Sequence, residues 1–400
     1  MVCPSQNVCH AEKRLNQPVR RCASILAYNR RIRRASHAVL LLLFAALLMS
    51  GCGGDSDDGA PPPNPGTSPS TASGFVFVNH LAAGLSAYRM DDSGRLSAVA
   101  GSPFPVPSSY AIDPSGNFVV GLTGNTVQVF RIDRSTGALS EVAGSPFTTG
   151  AEASEIVFHP NGRFLYVVNQ FDNFVAALSF NTTTGAVSAI GERLQTGLDD
   201  PNAPLRSIAI DPNGRFLFVA ANGIASFAID SNTGLLSTVP GSPVPDRFPF
   251  VRSLTVHPSG RFLFAALGSF VEGKVRVYPI TQSGLVGEQV SGSPFTAGQD
   301  PLWVAFDSTG RFAFVANAAS NDISVFSVNT NTGALTLQST TSAGNEPISA
   351  AVDASNRFLF VSISSPSSIA GFSIDATTGA LTSIASVPTG SAPGIVTTVR

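Results

Sequence analysis

Cysteine is scarce in this chain of 400 residues, and its four copies (Cys3, Cys9, Cys22 and Cys52) all precede residue 53. Everything after Cys52 therefore lacks the means to form a disulfide or a thiolate metal site. Charged residues make up only 12% of the sequence, and Trp303 is the sole tryptophan. No stretch of useful length after residue 73 repeats apolar residues at the helical period, which argues against a helical fold. Gly-x-Ser-x-Gly, a phosphate-cradling glycine loop, His-Glu-x-x-His and Cys-x-x-Cys-His are all missing. The commonest serine-hydrolase, nucleotide, zinc-protease and haem chemistries are thereby excluded, and no cofactor or metal is expected. Asp55-Ser56-Asp57-Asp58 lacks the glycine and distal glutamate of a calcium loop.

The N-terminal region differs from the rest. Arg30, Arg31, Arg33 and Arg34 precede an apolar run from Ala38 to Met49, too short to span a bilayer comfortably, so residues 1–52 read as a secretory signal with a long basic segment. Leu48-Met49-Ser50-Gly51-Cys52 resembles a bacterial lipobox, which implies lipidation of Cys52, and Gly53 favours an outer-membrane destination. The alternative is an ordinary cleaved signal. Residues 53–73, rich in Gly, Asp, Ser, Pro and Thr, cannot bury a core and read as a flexible tether. Residues 1–52 contain eight of the 24 basic residues but one of the 26 acidic ones, leaving 16 against 25 afterwards, a net of −9. Such a balance disfavours nucleic acid or anionic lipid as partner, so membrane attachment would be through the N-terminal lipid alone.

A turn-plus-strand unit recurs from residue 74 onward, beginning at Asp113, His159, Asp211, His257, Asp307 and Asp353, at spacings of 46, 52, 46, 50 and 46 residues. Periods in this range mark propellers or solenoids. In residues 204–239, Ser207 to Ile210 reads as strand a, Arg215 to Ala220 as b, Ala225 to Ile229 as c and Leu235 to Val239 as d, joined by Pro-Asn-Gly and Asn-Thr-Gly turns. Strand b is almost continuously apolar, as expected of a sheet covered on both faces. The c–d turn glycine occurs seven times: Gly94, Gly137, Gly185, Gly234, Gly284, Gly333 and Gly379. The first unit begins directly at strand b, while Pro393 to Val399 supplies an unmatched strand a. The chain is therefore expected to be all-β, a monomeric seven-bladed propeller over residues 74–400, closed by its C-terminal strand joining the N-terminal blade.

Phe158-His159-Pro160-Asn161-Gly162-Arg163-Phe164-Leu165-Tyr166-Val167-Val168-Asn169 resembles the strand b phrase of YVTN and lactonase-like propellers of the 6-phosphogluconolactonase type. The resemblance implies sugar-lactone hydrolysis, but three of its expected phrases depart. Pro249-Phe250-Val251-Arg252-Ser253 stands where a His-rich phrase is expected. Asp300-Pro301-Leu302-Trp303 and Ala153-Ser154-Glu155 lack the expected Arg and His, and Gln170 or Ala318 replaces a glutamate. The residues alone thus favour a non-catalytic module at the cell envelope, binding a protein or a small polar or sugar ligand. A lactone hydrolase with a rearranged site is the rival.

The repeated Asp, Arg and His residues belong to the face of the a–b turns. His159 and His257 are expected to cap turns, and Arg163, Arg215, Arg261, Arg311 and Arg357 to hydrogen-bond within them. The opposite face, made by the b–c and d–a connections, varies. It carries Glu152, Glu155, Asp199, Asp200, Arg206, Asp246, Arg247, Arg252, Gln299, Asp300, Trp303 and Glu346. Of these, Glu155, Arg206, Arg252, Asp300, Trp303 and Glu346 are the candidate ligand-binding residues.

Overall fold

Thirty β-strands account for the regular structure of the described residues, seen here in a computed structural model. It describes residues 74–400 apart from 81–83, 108, 149–153, 170–172, 199–204, 206, 222, 246–250 and 270. The signal, Cys52 and tether expectations lie outside the described residues, as do Arg206, Glu152, Asp199, Asp200, Asp246 and Arg247.

The strands form seven antiparallel sheets, each a blade. Blade 3 is representative: Glu155–Phe158, Phe164–Asn169, Phe174–Phe180 and Val187–Gln195 pair in chain order as strands a to d. Blade 1 is the exception that closes the ring. Its strand b, Gly74–His80, pairs on one side with Gly84–Met90 and on the other with the C-terminal Pro393–Val399. The strands a of successive blades, Ser109–Ile112, Glu155–Phe158, Ser207–Ile210, Val251–Val256, Pro301–Phe306, Asn345–Val352 and Pro393–Val399, line the axis. In blade 4 strand a matches its expected bounds, while strand d is only Leu236–Thr238.

Every residue of the strands b Phe164–Asn169, Phe216–Ala220 and Phe312–Asn317 is buried, because blades stack on both of their faces. A Phe stands first or, in blade 1 (Phe75), second in each strand b, and the c–d turn glycine of the next blade sits against its ring. A Cβ on Gly234 would lie 2.3 Å from Cδ1 of Phe164, and the residue also has φ +74°. The same close approach joins Gly284 to Phe216, Gly333 to Phe262 and Gly379 to Phe312. Each such Phe contributes about 2–3 kcal/mol by burial. The recurring glycine is therefore a seam element as well as a turn former.

The repeated arginines correct one expectation. Arg163 Nη2 donates to the carbonyl of Asn232 (3.1 Å), Arg311 Nη2 to Ala376 (2.7 Å) and Arg357 Nη2 to Asp92 (2.8 Å), each a c–d turn of the neighbouring blade. Arg261 reaches Thr330 and Asn331 in the same way (both 3.2 Å). The long side chain lies across its Phe ring, with Arg163 5.1 Å from that of Phe164, and its fork meets carbonyls that a finished turn leaves unpaired. Within their own turns, Arg215 pairs with Asp211 at 3.1 Å and Arg311 Nε donates to Thr309 Oγ1 at 3.3 Å. His159 and His257 do cap their turns, accepting the N–H of Asn161 and Ser259 at Nδ1 (both 3.1 Å), and their Nε2 atoms contact Gly214 O and Gly310 O of the next blade.

The outer edges fall into two kinds. Blades 3, 6 and 7 end in long strands, Val187–Gln195, Leu335–Ser342 and Leu381–Pro388. Blades 1, 2, 4 and 5 leave strand c early, turn at Gly-Ser-Pro, and return at Phe104, Phe147, Val244 or Phe295. The serine of each turn accepts a strand c N–H: Ser102 from Ala87 (3.0 Å), Ser145 from Val129 (3.1 Å), Ser242 from Ser226 (2.7 Å) and Ser293 from Val277 (3.1 Å).

Candidate functional site

Four residues before each a–b turn, strand a carries an equivalent position in every blade: Ser109, Glu155, Ser207, Ser253, Trp303, Ser349 and, in the closing strand, Ile395. At three junctions this side chain accepts a backbone N–H from strand a of the next blade. Ser207 Oγ takes that of Leu254 (3.0 Å) and Ser349 Oγ that of Val396 (3.3 Å). Glu155 Oε2 takes that of Ile208 (3.0 Å). A serine suffices for that contact, so a carboxylate there is surplus to architecture. Glu155 is half-buried by surface exposure, yet crowding protein atoms strip its carboxylate of water. Burial pushes its pKa up to about 8, with the Ile208 N–H opposing the shift in part.

The second departure is a pair of charged side chains on a backbone irregularity shared by blades 5, 6 and 7. A β-bulge interrupts strand a of blade 5 between Val251 and Ser253, so Arg252 is the extra residue and is re-aimed. Blade 6 carries the same irregularity between Pro301 and Trp303, preceded by Asp300 in the left-handed region at φ +49°. Asp300 is fixed by its N–H, donated to Ser269 O (2.7 Å), and by its carbonyl, which accepts from Ala318 N (2.9 Å). The outcome is an ion pair across two blades, Arg252 Nη2 to Asp300 Oδ1 at 3.3 Å. Gly268 lies beneath it: a Cβ there would stand 2.2 Å from Arg252 Nε and 2.5 Å from Asp300 Oδ1.

Of the sequence candidates, the structure brings Arg252 and Asp300 together and sets Glu155 and Trp303 in equivalent places on two different blades. Trp303 is half-buried and packs against the core between blades 6 and 7. Glu346 is exposed in the left-handed region (φ +55°), its N–H donating to Asn321 Oδ1 (2.8 Å). Asn173 and Asn321, in the b–c connections of blades 3 and 6, both have positive φ.

His80 escaped the sequence reading because no repeat phrase surrounds it. It ends strand b of blade 1 at the b–c/d–a face, 1% exposed, with Nε2 2.8 Å from Ser86 Oγ. Burial lowers its pKa, opposed by the backbone of Ser391 and Ala392. Asn317 of blade 6 fills the corresponding place, donating Nδ2 to Ser324 Oγ (2.9 Å). An end-of-strand polar residue followed by a strand c serine was the available signal.

The chain is 30% identical over 132 residues to the 6-phosphogluconolactonase of Bacillus subtilis, covering 32% of this chain and 37% of that protein. It is 28% identical over 203 residues to the 6-phosphogluconolactonase of Pectobacterium carotovorum, covering 48% and 58%. Less than two thirds of either relative's length is thus spanned. Among solved structures, a proposed 6-phosphogluconolactonase from Bacteroides uniformis superposes with TM-score 0.69 at 17% identity, over 82% of this chain and 99% of the other. The periplasmic gluconolactonase of Pseudomonas aeruginosa does so with TM-score 0.64 at 21% identity, over 82% and 99%.

These relatives overturn the expectation of a non-catalytic binding module, since the named ones are lactone hydrolases. That expectation rested on missing phrases, whereas a propeller presents side chains from seven independent strands and can assemble a site without any one phrase. The description "Lactonase, 7-bladed beta-propeller" matches residues 103–269 and 295–398, and the chain belongs to that family.

Proposed function

We propose that this propeller hydrolyses a sugar lactone at the b–c/d–a end of its axis, with Glu155 as general base. The observation that carries the reading is a desolvated carboxylate in an axial position where four other blades place serine. Hydrolysis adds water to the lactone carbonyl: the water oxygen bonds to the carbonyl carbon, its proton passes to Glu155, and a tetrahedral oxyanion forms. Collapse breaks the ring C–O bond, and the proton goes from Glu155 to the departing ring oxygen, giving the hydroxy acid. A carboxylate with raised pKa is the stronger base for the first transfer and the better proton carrier for the last. Arg252, anchored by Asp300, retains further N–H donors for the carbonyl oxygen or sugar hydroxyls. Trp303 offers an apolar face for a sugar ring. The lactonase names of the relatives support the same reaction class.

The test is Glu155→Gln assayed on glucono-δ-lactone with the spontaneous rate subtracted. Loss of about 10²–10⁴-fold in kcat is expected, with folding intact because glutamine still accepts the Ile208 N–H. Wild-type turnover retained by the variant would remove Glu155 from the chemistry.

A further inference from the structure

We propose that the cleft between the outer edges of blades 5 and 6 binds a small organic cation, a guanidinium or ammonium group on a short apolar stem. The cleft exists because two unlike edges stand side by side. Blade 5 leaves strand c early and returns only as Phe295–Thr296, whereas blade 6 carries the full-length strand Leu335–Ser342. Between them lies a space of about 380 Å³, the size of a small-ligand pocket. Phe295, Phe326 and Leu337 line it with apolar surface, Ser324 and Thr340 add hydroxyls, and Asp322 supplies a charge. Leu337 is 51% exposed, so its side chain has apolar area still to bury.

The molecule itself indicates the occupant. The junction of blades 2 and 3 is built alike, with the short return Phe147–Thr148 beside the long strand Val187–Gln195. Phe174 and Asp322 are equivalent: each opens strand c opposite the asparagine that ends strand b, Asn169 and Asn317. Arg193 and Thr340 are equivalent on strand d, each one residue before the partner in the pairs Val175–Leu194 and Ile323–Thr341. In blade 3 the Arg193 guanidinium lies 4.5 Å from the centre of the Phe174 ring, so the chain supplies its own cation there. Blade 6 changes both partners. The ring becomes a smaller carboxylate, the arginine becomes threonine, and no residue of Leu335–Ser342 is charged. Asn317 Nδ2 donates to Asp322 Oδ1 at 2.7 Å and fixes the carboxylate, while no described cation is within ion-pair reach of it. Lys274, which donates to Thr296 at the cleft's edge (2.8 Å), is held by Glu272 at 2.6 Å, so that pair adds little net charge. A single carboxylate offers a metal ion too few ligands, whereas it gives a guanidinium a charge-assisted hydrogen bond and leaves the stem against Leu337 and Phe295.

Binding here is measured without reference to lactone turnover. The full-length protein is titrated calorimetrically with hexylguanidinium, and with 1-hexanol and hexanoate as neutral and anionic controls on the same stem. Hexylguanidinium should bind about tenfold tighter than hexanol, hexanoate more weakly than either, and the guanidinium affinity should fall as salt screens the carboxylate. Asp322→Asn keeps an oxygen for the Asn317 N–H and should bring hexylguanidinium down to the level of hexanol. Thr340→Arg, at an exposed position, supplies the guanidinium from the chain as blade 3 does. It should weaken the added cation at least about tenfold by occupying its place. Equal affinity for the three probes, an affinity indifferent to salt, or unchanged binding in a folded Asp322→Asn or Thr340→Arg overturns the proposal. Capture of an arginine-containing peptide without binding of hexylguanidinium would overturn it too, by assigning the cleft to a protein partner.

Discussion

The two ends of the propeller treat the same repeat in opposite ways. At the a–b/c–d end, like residues do like jobs. Glycine seats on Phe, arginine bridges to the next blade's turn, and Asp or His caps its own turn in blade after blade. At the b–c/d–a end, equivalent positions diverge: serine becomes Glu155 or Trp303, a bulge carries Arg252, and a strand-terminal asparagine becomes His80. Polar groups at the first end are consumed in holding blades together. Those at the second include a carboxylate whose desolvation no seam requires. Repetition therefore marks what the fold needs, and departure from it marks where chemistry can be added.

The sharpest way to break this contrast is to titrate its two ends. With a pKa near 8, Glu155 is mostly protonated at pH 6, so the rate of a general base there should climb close to tenfold per pH unit and level off above about pH 8. The Glu155→Gln variant should lack that limb once the spontaneous rate is subtracted. Stability must move the other way. The folded state holds a proton that the unfolded chain, with an ordinary value of 4.5, releases, so stability is lost as pH rises from about 4.5 to 8. Glu155→Gln removes this penalty and should stabilise the protein by on the order of a few kcal/mol at pH 8, with little effect at pH 4. Equal denaturation midpoints for the two proteins at both pH values would place Glu155 among the architectural residues.

At the opposite end, Gly234→Ala should destabilise by about 2–3 kcal/mol with no change in kcat per folded molecule. The added methyl would collide with the Phe164 ring, and the residue would be held at φ +74°. A denaturant midpoint unchanged from wild type would mean that the seam yields. A kcat that falls in step with stability would mean that the two ends are coupled.

Much of the fold was legible because it is periodic. Asp211-Pro212-Asn213-Gly214 names a turn, the apolar run after it names a doubly covered strand, and the orphan strand at Pro393 to Val399 completes a blade. The Gly-Ser-Pro returns were overlooked because the signal lies between repeats, and their role appears only when Ser102 Oγ is seen to accept the Ala87 N–H. Site legibility was uneven for a physical reason. Glu155, Arg252 and Asp300 stood out as charges near strand a, but the Arg252–Asp300 pairing depends on a bulge and a left-handed residue that spacing does not encode. Glu155 reads in sequence as one acid among many, and only the axial crowding around it separates it from a solvated rim charge.

The smallest effect lies within the repeated end, between two arginines that share a position. Arg261 donates to two neutral carbonyls of the next blade, whereas Arg215 pairs with Asp211 from a half-exposed side chain. Arg261→Ala should cost about 1 kcal/mol, measured by chemical denaturation, and that cost should barely change between low and high salt, because the acceptors carry no charge. Arg215→Ala should cost less, and the difference should fade as salt screens the ion pair, though Asp211 keeps its own contacts in the turn. If both losses vanish in salt, the inter-blade contacts of Arg261 are electrostatic decoration. If neither does, the packing of each guanidinium over its own Phe, 5.5 Å for Arg261 and 5.1 Å for Arg215, is the larger contribution.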